Sequence, residues 1–365
     1  MRLIQFLILF VVLISGIHAH PISDEPFQAR VRELPVVDDF DVLMGKKTKH
    51  WLHVRLPSDI SALERYKALY ERNKGKRLLK PSSYKIPRIV HFIWLGPRPF
   101  PPQSVENIRT WMAKNPTWTF KFWTDRPRDP PCKGMERMLI TEYPFTQLAR
   151  CYNSSKNWGE KSDILRYEIL YNHGGVYVDH DVSCLQSFDG LHGAYDFYCG
   201  LEPPCPVVVG HHVVAGNAVL GSRPGHPLIQ HLINIVEQRW DALAQKYPGN
   251  DGFSRTQIVM ERTFIALTLA LSDKLDMPGN TDIVFPAAYF FAKKGIAPLY
   301  SKHFLANSWA SGEESKQGSE HQIQKLLFKV DKKASRILLF SGIIVSFNLL
   351  LIFLSISFAR KMRFQ

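Results

Sequence analysis

Trp158-Gly-Glu-Lys-Ser-Asp163-Ile-Leu-Arg166-Tyr167-Glu-Ile-Leu-Tyr-Asn-His-Gly174-Gly175-Val176-Tyr177-Val178-Asp179-His180-Asp181 is the stretch on which the fold turns. Ile164, Leu165, Ile169 and Leu170 recur at helical spacing, and Gly174 stands where a helix wants a residue of positive φ at its end. Val176-Tyr177-Val178 is β-branched and aromatic, so a short strand follows at once. A helix feeding a strand across a glycine pair is the unit of an α/β fold.

Two carboxylates follow that strand at i and i+2. Residues two apart on a strand point to the same side. Asp179 and Asp181 therefore face one place, while His180 between them points away. Two carboxylates buried together without a cation would repel, and one would have to stay protonated. Hard divalent ions such as Mg²⁺ and Mn²⁺ take carboxylate oxygens together with phosphate oxygens. The pattern predicts a metal and a phosphate. Tyr177 shares the aspartates' parity and is expected to pack beneath them. Asp163 and Arg166, at i and i+3, share one helix face. They are either a surface ion pair of little worth or a carboxylate and guanidinium aimed into the same cleft.

Outward from this centre, strands and helices alternate. Ser58 is placed to cap a helix running to about Lys74, with Ile60, Leu63, Tyr66, Lys67 and Tyr70 inside. Strands are expected at Ile89 to Trp94, Trp118 to Trp123 and Ile283 to Phe285. Helices are expected at Ser104 to Lys114, Leu228 to Tyr247 and Gln257 to Leu271. This alternation implies a mostly parallel sheet with helices on both faces and a ligand crevice at the strand C-terminal ends. Trp94 ends an apolar strand before Leu95-Gly96-Pro97, so its indole belongs either to the core or to the crevice mouth. Trp111 and Trp118 read as core.

The chain has 365 residues, 45% of them apolar, enough for one large domain with appendages. Net charge is +13, spread along the chain with local density at Lys74 to Lys85 and near the C-terminal end, which suits an anionic membrane surface. No nucleic-acid motif is present. The five cysteines (Cys132, Cys151, Cys184, Cys199, Cys205) show no zinc spacing. An oxidising lumen would allow a Cys199–Cys205 bridge. Asn153-Ser154-Ser155 is a glycosylation acceptor triplet. Leu3 to Ile17, behind Met1-Arg2, reads as a signal peptide or signal anchor within residues 1–19. Ile337 to Ala359 carries no charge and is long enough to cross a bilayer. Between these lie a stem and lead-in helix (20–84), a central domain (85–310) and a basic linker (311–336); a basic tail (360–365) closes the chain.

Four motifs in order resemble one known family. Ser162 to Asp181 is similar to the S-D-x-x-R-Y-x-x-L-x-x-x-G-G-x-Y-x-D-x-D signature of the D-x-D sugar-transferring glycosyltransferases. That family includes inositolphosphoceramide and α-1,6-mannosyltransferases and is related to the large clostridial glucosylating toxins. Ile86 to Gly96 resembles its opening I-P-K-x-I-H-x-I-W segment. Asn217 to Pro227 resembles N-x-x-x-G-x-x-x-G-H-P, and His303 to Trp309 resembles the closing H-x-x-x-x-S-W.

The resemblance implies a GT-A nucleotide-sugar-binding fold. It implies a nucleotide-sugar donor of the GDP-mannose or UDP-glucose type, Mn²⁺ or Mg²⁺, and a retaining hexosyl transfer. Asp181 would ligate the metal directly, Asp179 would contact the ribose and metal shell, and His303 would be a third ligand. Trp94 would stack on the base. Asp163 and Arg166 would hold sugar hydroxyls and the diphosphate. Asn217 and Trp309 would line the sugar and leaving-group pocket, and Tyr177 and Ser308 complete the donor-binding set. A membrane-tethered domain suits a lipid-linked or glycan acceptor, in the Golgi or ER lumen of a eukaryote or at a bacterial cell membrane. A toxin-like transfer to a protein side chain is the alternative. Asp179-His-Asp181-Val182-Ser183 also fits the D-x-D-x-[TV] loop of haloacid-dehalogenase-type phosphatases, but no paired-acid metal motif follows it. A non-catalytic sugar- or lipid-binding membrane protein is the remaining reading; the intact acidic residues argue against it.

Overall fold

In a computed structural model of the protein, the alternation up to Asp181 yields four strands: β1 (Ile89–Trp94), β2 (Thr119–Thr124), β3 (Glu136–Leu139) and β4 (Gly175–Val178). They lie in the order β3-β2-β1-β4, all parallel. The structure describes residues 38–76, 84–143, 145–206, 210–249 and 252–306. Next in the chain come β5 (Val182–Cys184), β6 (Phe197–Leu201), β7 (Ala215–Ser222), β8 (Asp282–Phe285) and β9 (Ser301–His303). The main sheet has seven strands, β3-β2-β1-β4-β7-β6-β8. β7 runs antiparallel to both its neighbours, and β6 is again parallel to β8. The sheet is mixed and mostly parallel. β5 and β9 form a separate antiparallel pair in which Val182 faces His303.

The crevice follows from this order. The helix Pro102–Lys114 carries the chain from β1 to β2 on one side, while β4 lies on the other side of β1. Such a switch point leaves room beyond the strand C-terminal ends. Trp94 ends β1 and Asp179 follows β4, so both stand at this edge. Because β7 is antiparallel, its early residue Asn217 also reaches the same edge; the Asp179 N–H donates to the Ala218 carbonyl at 2.9 Å.

The helix Trp158–His173 starts where the Asn157 side chain accepts from the Gly159 and Glu160 N–H groups at 2.8 and 3.0 Å, satisfying donors that the helix itself leaves open. It stops at Gly174, whose φ of 61° and ψ of −162° differ from the left-handed turn expected and suit glycine alone. Gly175, at φ 97°, lets β4 begin against β1: a Cβ there would stand 2.6 Å from the Ile89 carbonyl oxygen.

Other expectations shift. The helix Pro57–Asn73 begins at proline with Leu56, not Ser58, at its cap. Ile60 is 44% exposed, and the inner face is Leu63, Tyr66, Leu69 and Tyr70. Phe40, Met44, Tyr66 and Tyr70 are fully buried, so residues of the lead-in share the main core, with this helix against β8. The run Gln257 to Leu271 is two helices, Gly252–Arg262 and Phe264–Lys274, broken at Thr263. All five cysteines are free thiols, so the Cys199–Cys205 bridge does not form. Trp111 and Trp118 are core residues, their indole N–H groups donating to the Val182 carbonyl and the Asp189 carboxylate. The apolar segments 3–17 and 337–359 lie outside the described residues; among the described residues no helix is long and apolar enough to cross a membrane.

Candidate active site

Arg166 organises the crevice floor. Its side chain is only 4% exposed, and it forms ion pairs with Asp163 and, at 3.3 Å, with Asp179. It donates to the Asn217 carbonyl at 2.7 Å and lies 3.9 Å from the centre of the Tyr177 ring. Tyr177 donates its hydroxyl to Asp179, and the Asn217 amide donates to Asp163 at 3.1 Å. The i, i+3 pair is therefore not a surface ion pair. One guanidinium binds two carboxylates and the backbone of β7, where desolvation strengthens each contact.

Burial pushes the Asp163 carboxyl up to about 6; the Arg166 charge opposes this and the Asp179 charge adds to it. The Asp163 side chain keeps 15% exposure, so water softens the effect. Arg166 is held above its ordinary value: burial lowers it, but the Asp163 and Asp179 carboxylate charges outweigh burial.

Asp181 is held from another direction. Its carboxylate accepts from the Ala306 N–H at 2.6 Å and lies 3.4 Å from His303 Nε2, while its carbonyl accepts from the Phe304 N–H at 2.9 Å. The β5–β9 pair delivers this, since it sets His303 opposite the residue that follows Asp181. Burial raises the Asp181 carboxyl, yet the His303 hydrogen bond and charge pull it well below the usual carboxylate range. His303 is raised in turn, burial opposing and Asp181 prevailing.

Asp179, Asp181 and His303 each offer a ligand atom, all within 4.8 Å of one another. His303 Nδ1 is buried and makes no hydrogen bond. Two carboxylates and an imidazole suit Mn²⁺ or Mg²⁺, so these residues fit the ion that the sequence pattern expects.

His180 turns away from the two aspartates, but not through strand parity: β4 ends at Val178, and Asp179 to Val182 is a turn closed by the Val182 N–H on the Asp179 carbonyl at 3.1 Å. The His180 Nδ1 lies 2.7 Å from the Ser104 hydroxyl, and its ring meets the Trp94 indole edge-on at 5.0 Å. Trp94 stands at the end of β1 but is 8% exposed, edge-on to Phe100 as well, with its N–H donating to the Arg98 carbonyl at 2.9 Å. Asn307, Ser308 and Trp309 lie outside the described residues. Two participants escaped the sequence reading. The Tyr167 hydroxyl accepts from the Asn217 amide at 3.2 Å; its i+4 spacing from Asp163 was the signal. The Ala306 N–H on Asp181 left none. His226 of the Gly-His-Pro motif is structural: fully buried, it caps the helix Pro227–Lys246 and contacts Asp282 at 3.1 Å.

Residues 101–198 match the family described as "Glycosyltransferase sugar-binding region containing DXD motif". The chain is 27% identical over 174 residues to "Subversion of eukaryotic traffic protein A" of Legionella pneumophila, covering 43% of this chain and 26% of that one. It is 29% identical over 151 residues to inositol phosphoceramide mannosyltransferase 3 of Schizosaccharomyces pombe, covering 41% and 37%. With mannosyltransferase 1 of the same yeast it shares 22% over 281 residues, covering 76% and 75%. The first two matches thus span well under half of those relatives' own length. Asp163, Arg166, Asp179 and Asp181 all fall inside residues 101–198, the stretch that is similar to the sugar-binding region of the D-x-D glycosyltransferases.

Proposed function

We propose that this protein is a metal-dependent, retaining glycosyltransferase that moves a hexose of the mannose or glucose type from a nucleotide sugar to a lipid-linked or glycan acceptor at a membrane. The observation that carries the reading is the convergence of Asp163, Arg166, Tyr177, Asp179 and Asn217 on one strand edge, beside the Asp179–Asp181–His303 group. In a GT-A-type arrangement that edge receives the nucleotide diphosphate. A bound Mn²⁺ or Mg²⁺ supplies Lewis-acid neutralisation of the departing nucleoside diphosphate, worth several kcal/mol.

The chain's own side chains do the positioning. Arg166 holds Asp163 and Asp179 in place while its charge faces a diphosphate. Asp163 and Asn217, tied to each other, present oxygen and amide groups to sugar hydroxyls. Trp94 stands under the base. Asp163, locked by Arg166 and Asn217, is a poor covalent nucleophile, which favours same-face displacement assisted by the leaving diphosphate, with retention. The names of the yeast relatives and the apolar run 337–359 support a lipid-borne acceptor.

The test is a panel of nucleotide sugars incubated with the full-length protein, reading nucleoside diphosphate release with and without Mn²⁺, then the product's anomeric proton by NMR. The expected result is metal-dependent release from one donor type and an α product from an α donor. Release that persists in excess EDTA contradicts the metal role, and a β product contradicts retention.

A further inference from the structure

The turn that carries the two aspartates has little structure of its own. β4 ends at Val178, and a single backbone bond closes the turn, from the Val182 N–H to the Asp179 carbonyl at 3.1 Å. Two carboxylates that share one cation must therefore take their separation from whatever grips the turn. On one side the grip is the helix Pro102–Lys114, which packs on β5.

Ser104, Asn107 and Trp111, at i, i+3 and i+7, lie on one face of that helix. The Ser104 hydroxyl, on a residue 1% exposed, stands 2.7 Å from His180 Nδ1. The Asn107 amide donates to the His180 carbonyl at 3.1 Å, and the Trp111 indole donates to the Val182 carbonyl at 2.9 Å. Beside them Thr110 accepts from the Cys184 N–H at 2.8 Å. Polar groups on the inner face of a helix cost free energy unless paired, and here their partners run along the turn and into β5.

The Asn107 contact differs from the others in what it holds. Two peptides separate Asp179 from Asp181. The first is held within the turn through the Asp179 carbonyl, and the second, joining His180 to Asp181, is held by Asn107. A peptide is a rigid plane, so tilting this one swings the Asp181 side chain relative to Asp179. We propose that Asn107 is a positioning residue for the metal pair: it fixes this peptide, and with it the separation of Asp179 and Asp181, while Ser104 locks the His180 ring in support. This rests on the metal-dependent transferase reading and adds to it a residue, outside the D-x-D motif and on another element, that sets the affinity for the ion.

The test measures Mn²⁺ uptake by the full-length protein in detergent, from loss of the free-ion EPR signal, with and without nucleoside diphosphate. Melting curves accompany each variant. Asn107→Ala and Asn107→Leu, the second close in volume but without the donor, should each weaken Mn²⁺ binding by about ten- to hundredfold, the range for outer partners of metal ligands. Ser104→Ala should weaken it less. Thr110→Val is the structural control, since it removes a bond from the same helix to Cys184, beyond the turn. It should lower the melting temperature and leave Mn²⁺ affinity at the wild-type value. Should Asn107→Ala lose its fold, Asn107→Leu and Ser104→Ala carry the comparison. A folded Asn107→Leu with wild-type affinity, or a Thr110→Val loss as large as that of Asn107→Leu, overturns the positioning role. Wild type that takes up no Mn²⁺ overturns the metal reading itself, and the positioning role with it.

Discussion

Arg166 neutralises two carboxylates that would otherwise share a desolvated floor, so it serves the fold as well as the site. Arg166→Ala should cost about 3–5 kcal/mol of stability, the range for stripping the partner from buried charges. Urea denaturation checks this, and a loss under about 1 kcal/mol would show the pair to be solvated. Trp94 is buried among Phe100, His180 and the Arg98 carbonyl, so Trp94→Ala should destabilise by roughly 3–5 kcal/mol and Trp94→Phe by less. Titrating nucleoside diphosphate against both variants separates packing from stacking: affinity lost in Ala and kept in Phe supports a base contact, and unaltered affinity removes it. At this scale helix spacing was legible, pairing Asp163 with Arg166. Strand parity was expected to set Asp179, Asp181 and Tyr177 apart from His180, but β4 ends at Val178 and Asp179 to Val182 is a turn, so the separation comes from the turn and from the partners of each side chain. Asn217 and His303 came through resemblance, because no local pattern ties them to residues so distant in the chain. The Ala306 N–H was invisible, since a backbone group aimed by Leu305 at φ 55° leaves no mark in side-chain chemistry.

The joint between helix Trp158–His173 and β4 depends on two glycines rather than on side-chain packing. Gly175→Ala would combine positive φ with a Cβ driven onto the Ile89 carbonyl oxygen, an atom that cannot move without distorting β1. It should cost at least about 2 kcal/mol; chemical denaturation of the variant checks this, and wild-type stability would mean that β4 can start elsewhere. Elements with strong periodicity and clear punctuation were readable, β1 and the helix before β4 above all. β6 and β7 were not. Both are buried on both faces and interleave apolar residues with Gly200, Gly216 and Gly221, so they show neither alternation nor a β-branched run. Those glycines answer to rings: a Cβ at Gly221 would meet the Tyr198 ring at 2.2 Å. The break at Thr263 was missed for a related reason, since Thr263-Phe264 continues the apolar period although the backbone does not continue the helix.

For the whole molecule, the core contains two histidines that the fold keeps neutral, one on β1 and one on the short helix Asp189–Ala194. Burial pushes His91 and His192 down to about 3 from an ordinary 6.5, against the pull of the Gly174 and Pro87 carbonyls. His91 accepts from the Trp123 indole at Nδ1, so its Nε2–H donates to Gly174. A depressed folded value means that the stability is whole above the unfolded value and is lost as pH falls from 6.5 towards 3. Each histidine should cost about 2 kcal/mol between pH 7 and pH 5. Urea midpoints at the two pH values check this, and His192→Gln should remove about half of the slope; a flat profile would contradict neutral burial. The main sheet brings the Arg166 network and the Asp179–Asp181–His303 group to one edge, and their joint role as a metal–diphosphate site is the centre of the account. Calorimetric titration of nucleoside diphosphate, with and without Mn²⁺, into wild type, Asp181→Asn and His303→Ala tests it most directly. The account predicts binding that needs Mn²⁺ in wild type, is lost in Asp181→Asn and is weakened in His303→Ala, with the variants still folded by circular dichroism. Equal affinity in excess EDTA, or full Mn²⁺-dependent binding by Asp181→Asn, would contradict it.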